Sequence, residues 1–88
     1  MTDPAYLCYK EYPREFMILK LVGKTPEAFE QYAQDLARDN GVDPSSSHLI
    51  RLDQMSRNEV ETLMRGLGLV TEENEREVLV NIGSLGLP

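Results

Sequence analysis

From residue 57 onward, Val60, Leu63, Met64 and Leu67 recur three and four positions apart, the spacing of one helix face. Ser56 stands directly before this run and Glu59 lies three residues beyond it, the arrangement of a capping box. The pattern predicts a helix over residues 57–67, roughly three turns long, that ends at Gly66-Leu67-Gly68. Thr71-Glu72-Glu73-Asn74 then opens a second acidic run, with Val78, Leu79, Ile82 and Leu85 on one side of a further helix. Residues 78–82 are rich in β-branched side chains and would suit a strand equally well; the reading adopted is helix.

The N-terminal half has a different rhythm. Ala5 to Tyr12 is aromatic-rich without a helical period and reads as a strand, and Phe16 to Val22 reads as a second. Pro13-Arg14 between them predicts a type I or II turn and hence an antiparallel hairpin. The second strand is apolar on both faces except at Lys20, which predicts a central place in the sheet. After Gly23-Lys24, Thr25-Pro26-Glu27 supplies an N-cap, a proline at the first helical position and an acidic residue that suits the helix dipole. Phe29, Tyr32, Ala33, Leu36 and Ala37 form the core stripe of that helix, and Asn40-Gly41 ends it. Residues 42–47 are a polar connection. His48 to Leu52 is read as a third, short strand.

The expected fold is therefore one α+β domain over residues 1–88. Its order is β-β-α-β-α-α, with the helices packed on one face of a short antiparallel or mixed sheet. With 41% apolar residues the chain can build one modest core. No unbroken apolar stretch, Phe16-Met17-Ile18-Leu19 included, is long enough to span a bilayer. The opening Met1-Thr2-Asp3-Pro4 has no basic region, and Lys10 and Glu11 interrupt the apolar residues after it, so a cytoplasmic protein without a membrane partner is expected.

Charge and chemistry narrow the function classes. The formal net charge is −6, which argues against direct nucleic-acid binding through neutralised phosphates. The acidity is uneven: residues 1–24 carry a net +1, residues 25–47 a net −4 and residues 48–88 a net −3. Lys10, Arg14, Lys20 and Lys24 form the only basic region, read as a solvated strand edge or an anion contact. A lone Cys8 and a lone His48 cannot supply a zinc site; Cys8 is read as a small core hydrophobe. Cys8, His48 and Asp53 have no local signature of a nucleophilic triad, and Ser45-Ser46-Ser47 lacks the glycines of a phosphate loop. No catalytic, cofactor or metal site is assigned, and the chain is not read as an enzyme.

Residues Glu59 to Gly68, with Met64-Arg65-Gly66-Leu67-Gly68, and then Thr71-Glu72-Glu73-Asn74-Glu75 resemble the segment that joins two EF-hands in calmodulin-like proteins. The resemblance implies two adjoining helices. It departs from the family where calcium would bind, because His48, Ile50 and Leu52 stand at the first three ligand positions and Asp53 at the turn glycine. The same helix pair read as a DNA-binding helix-turn-helix would aim an acidic first turn at phosphates.

Elimination leaves protein binding. One form is an inhibitor that covers a basic, nucleic-acid-binding surface of its partner, comparable in size and charge with phage anti-defence proteins such as anti-CRISPRs. The other is an adaptor or accessory subunit, in a homo- or hetero-oligomer, that uses an apolar, tyrosine-bearing patch. Glu72, Glu73, Glu75 and Glu77 are the candidate contacts for the first form. Tyr9, read on the face opposite Tyr6 and Tyr12, is the candidate for the second.

Overall fold

A computed structural model of the chain describes residues 4–21 and 23–88. Met1, Thr2, Asp3 and Val22, the last of which the sequence places at the end of the second strand, lie outside the described residues. The element order is β1 (Ala5–Glu11), β2 (Arg14–Lys20), α1 (Pro26–Asp39), β3 (Leu49–Arg51), α2 (Arg57–Gly66) and α3 (Glu75–Gly83), a small α+β domain in the order expected.

β1 and β2 form the antiparallel hairpin, with Tyr6 opposite Leu19, Cys8 opposite Met17 and Glu11 opposite Arg14. Tyr12 and Pro13, joined by a cis peptide bond, make the turn between Glu11 and Arg14. Pro13 thus stands at the third position of the turn rather than at the second, where a type I or II turn would hold it. β3 pairs with the other edge of β1, again antiparallel, with Leu7 opposite Ile50. The sheet order is therefore β2-β1-β3, and the expectation of a central second strand is corrected. Ala5, Leu7, Cys8 and Tyr9 are buried, so both faces of β1 are covered, whereas Phe16 to Leu19 are only half-buried. Asp53 locks the third strand in place, its carboxylate accepting from the Ala5 N–H at 3.3 Å and from Arg51 Nε at 2.9 Å. Burial would by itself raise the pKa of that carboxyl, but the Arg51 and Ala5 donors outweigh it and hold the group below the ordinary aspartate range.

The expectation that all helices share one face is also corrected. Residues directly opposite in an antiparallel pair share a face, so Cys8, Met17 and Leu49 lie on one side, where they pack with Ala37 and Val42. Phe29 of α1 meets the Tyr6 ring on that same side, at 5.6 Å between centroids. Ala5, Leu7 and Tyr9 point the other way, into a larger cluster with Val60, Met64, Val78 and Ile82. The cause is topological. α1 carries the chain from β2 past β1 to β3 and in doing so occupies one face, so the apolar stripes of α2 and α3 find cover only on the other.

Local chemistry sets the helix ends. Thr25 Oγ1 accepts from the Ala28 N–H at 3.2 Å, and Pro26 opens α1. At its other end Gly41 takes φ +77, which lets its N–H reach the Arg38 carbonyl and the Val42 N–H reach that of Ala37, a Schellman motif. α2 has the full capping box: the Glu59 N–H donates to Ser56 Oγ at 3.2 Å, and the Ser56 N–H donates to Glu59 Oε1 at 3.1 Å. Ser56→Ala is expected to lower the unfolding free energy by about 1 kcal/mol, since it removes one half of the box. Urea unfolding followed by circular dichroism measures this, and an unchanged midpoint at unchanged slope would contradict it.

α3 starts later than the sequence suggests. Glu72 to Asn74 form a turn before it, closed by the Thr71 N–H donating to Asn74 Oδ1 at 2.7 Å and the Asn74 N–H donating to Thr71 Oγ1 at 3.2 Å. The side chain of Asn74 satisfies the backbone there, and regular helix begins only at Glu75. Residues 77–82 are helical, and Val78 and Ile82, four apart, are its buried positions.

Candidate interaction surfaces

The four candidate glutamates do not form one face. Glu72 and Glu73 are exposed at the outer corner of the Thr71–Asn74 turn, which Asn74 Nδ2 also ties to the Leu69 carbonyl at 2.9 Å. Glu75 is half-buried and accepts from Arg65 at 3.3 Å, while the same guanidinium binds Glu61 at 3.0 Å. Arg65 thus links α2 to α3 and takes Glu75 out of the free acidic surface. Glu77 is exposed and lies on the side of α3 that faces β2, beside Lys20, Asn81 and Ser84. Three carboxylates remain open to a partner, Glu72 and Glu73 as neighbours on the turn and Glu77 on α3.

Tyr9 does not serve as an exposed anchor. It is 7% exposed, belongs to the larger core cluster, and its ring lies 4.7 Å from that of His48. Tyr9 does lie on the face opposite Tyr6, as the alternation of the strand predicts, but α2 and α3 cover that face. Tyr12 is the tyrosine that the hairpin presents, at 93% exposure. Tyr32 is partly exposed on α1, one ring face stacked near Phe29 and the Lys24 ammonium 4.9 Å from its centroid.

The groups weighed for catalysis are apart. Cys8 is buried beside Ala37, Val42, Met17 and Leu49, and that burial pushes its thiol pKa up, away from the reactive thiolate. His48 meets Tyr9 and Glu11 at one end of β1, whereas Asp53 is bound to Ala5 at the other. Among the described residues no cluster of three or more His, Cys, Asp or Glu side chains is placed to hold a metal ion, and no helix is long and apolar enough to cross a membrane.

A surface that sequence reasoning did not single out is the outer edge of β2. The Tyr9 N–H donates to the His48 carbonyl, and the Leu52 N–H to that of Ala5, so the odd-numbered residues of β1 aim their main chain at β3. The even-numbered ones then face β2, as the Leu21 N–H to Pro4 carbonyl bond also requires. Main-chain bonds alternate along an antiparallel strand. Arg14, Phe16, Ile18 and Lys20 therefore direct their N–H and C=O groups outward from the sheet. Hollows flank this edge on both faces: one toward α3, lined by Phe16, Ile18 and Asn81, and two toward α1, at Met17 with Val42 and at Leu19 with Tyr32. The signal in the sequence is the double-sided apolar run of Phe16 to Leu19, which by hydropathy alone reads as a sign of centrality.

Comparison with protein-family models, with curated proteins and with solved structures gives no match for this chain.

Proposed function

We propose that this chain is a protein-binding module that acts by covering a basic surface of its partner, such as a nucleic-acid-binding face, as an inhibitor. The observation that carries the reading is the exposed pair Glu72 and Glu73 at the Thr71–Asn74 turn, where reciprocal bonds fix the backbone and neither glutamate makes an ion pair among the described residues. With the turn already closed, its backbone has little freedom to lose on docking. Glu77 extends the charge along α3.

The test is the triple variant Glu72→Gln, Glu73→Gln, Glu77→Gln, which leaves the Arg65–Glu75 link intact. Its stability is expected to stay within a few tenths of a kcal/mol per site. Binding partners are recovered from the source organism with tagged wild-type protein, and association rates are measured at low and high salt. The variant is expected to associate about tenfold more slowly at low salt and to lose most of the salt dependence, since rim charges act on the encounter rate. Equal rates and equal salt slopes would refute the acidic docking surface.

The second reading, an adaptor or subunit that contacts its partner through apolar surface, is favoured by one observation: among the described residues the seven-residue strand β2 has no partner on its outer edge, and it carries half-buried apolar residues on both faces.

A further inference from the structure

We propose that the outer edge of β2 is a strand-addition site for an extended segment of a partner protein, with the residue pattern acidic–x–apolar–x–apolar–x–acidic. This site is distinct from the Glu72–Glu73 corner before α3, although Glu77 borders both.

The main chain supplies the first requirement. Arg14, Phe16, Ile18 and Lys20 offer their outward N–H and C=O groups in register over the length of the strand, and an added strand would satisfy them as β1 satisfies the inner edge. The side chains supply the second. An added strand continues the pleat, so its residues opposite Phe16 and Ile18 would point into the hollow beneath α3, and those opposite Met17 and Leu19 would point toward α1. Both sides of the slot thus carry apolar groups, Phe16, Ile18 and Val78 toward α3 and Met17, Val42 and Leu19 toward α1, and the α3 side adds the polar Asn74, Asn81 and Ser84.

Charge specifies the occupant. Lys10, Arg14, Lys20 and Lys24 form no ion pair among the described residues of a chain whose net charge is −6. Among the described residues the Arg14 side chain donates only to the Gly68 carbonyl, at 3.5 Å, and that of Lys20 only to Ser84 Oγ, at 2.9 Å. The carboxylates along the slot are Glu15 and Glu77. Arg14 and Lys20 bracket Phe16 and Ile18 on the same face, so a carboxylate opposite each cation and an apolar residue opposite each apolar one is the complementary strand. The pattern reads the same in both directions and accommodates either strand polarity.

A second copy of this chain fits less well. Two-fold pairing of β2 strands in one sheet matches residues of like parity, and the register that sets Phe16 against Ile18 of the copy sets Arg14 against Lys20 twice. Like charges directly opposite oppose pairing. The neighbouring registers set Lys20 against Phe16, or Arg14 against Ile18, and shorten the ladder.

The experiment uses two peptides on the wild-type protein: blocked Asp-Thr-Val-Thr-Val-Thr-Asp, and the same peptide with Lys in place of both Asp. Backbone amide shifts and hydrogen exchange are followed by NMR at low salt, up to about 1 mM peptide. The Asp peptide is expected to shift and protect the amides of Phe16 and Ile18, and to bind about tenfold more tightly than the Lys peptide. In the double variant Arg14→Glu, Lys20→Glu, shown by circular dichroism to be folded, the preference is expected to reverse. Three results would overturn the proposal: no localised change at the β2 amides, equal binding of the two peptides by the wild type, or protection of these amides that tracks formation of a dimer of the protein itself.

Discussion

Phe29→Ala is expected to lower the unfolding free energy by about 3–5 kcal/mol, the range for removal of a buried phenylalanine. Phe29 is 1% exposed and joins α1 to the sheet through the Tyr6 ring. The other buried residues of α1 are Ala33 and Ala37, which contribute close approach but little area. Phe29 is therefore the one large buried side chain that α1 brings to that face. A domain of this size holds roughly 5–15 kcal/mol in all, and each kcal/mol lost lowers Tm by about 4–8 °C, so the variant should melt about 12–40 °C below wild type. Thermal and urea unfolding by circular dichroism give the value. Phe29→Leu, which keeps most of the volume, should lose less than about 1.5 kcal/mol. If Phe29→Ala lost under about 1 kcal/mol, α1 would not be packed on the face of Tyr6 and Cys8.

Met64→Ala should cost about 2–5 kcal/mol, and Leu63→Ala clearly less. The spacing of apolar residues makes the two equivalent, since both sit on the stripe of α2. The structure separates them. Met64 is fully buried in the cluster with Leu7, Val60 and Ile82. Leu63 is half-buried and borders an open hollow with Met55, Asn58 and Thr62. Its truncation exposes area without opening a cavity, and about 1–2 kcal/mol is the corresponding loss. The measurement is the pair of unfolding free energies from urea titrations under one set of conditions. A larger loss at Leu63 than at Met64 would mean that α2 is rotated from the orientation described.

Phe29→Ala and Met64→Ala probe opposite sides of the sheet, which is where local and long-range information part. Residues within a few positions of one another settled the hairpin, the N-caps at Thr25 and Ser56, the glycine end of α1 and the element order β-β-α-β-α-α. Each of these depends on hydrogen bonds or turn geometry that close within about five residues. The start of α3 slipped by several positions because Thr71 and Asn74 close a turn on themselves before the helix, and one helical N-terminus resembles another in composition.

What only the tertiary structure decided is which strand lies in the middle, which face each helix covers and hence which side chains meet a partner. Phe16 to Leu19 look more buried than Ala5 to Tyr9 by hydropathy, yet β1 is central because β3 returns to its edge and Asp53 binds the Ala5 N–H there. Period-two alternation assigns Tyr9 to one face and Tyr6 to the other but is silent on what lies above each. The passage of α1 across one face sent α2 and α3 to the other, buried Tyr9 and left Tyr12 in the open. The glutamates were legible as exposed acids, whereas the capture of Glu75 by Arg65, ten residues away, required α2 and α3 to be side by side. Strand order, layer choice and inter-helix ion pairs are set by contacts between segments far apart in the chain, so no local pattern of residues encodes them.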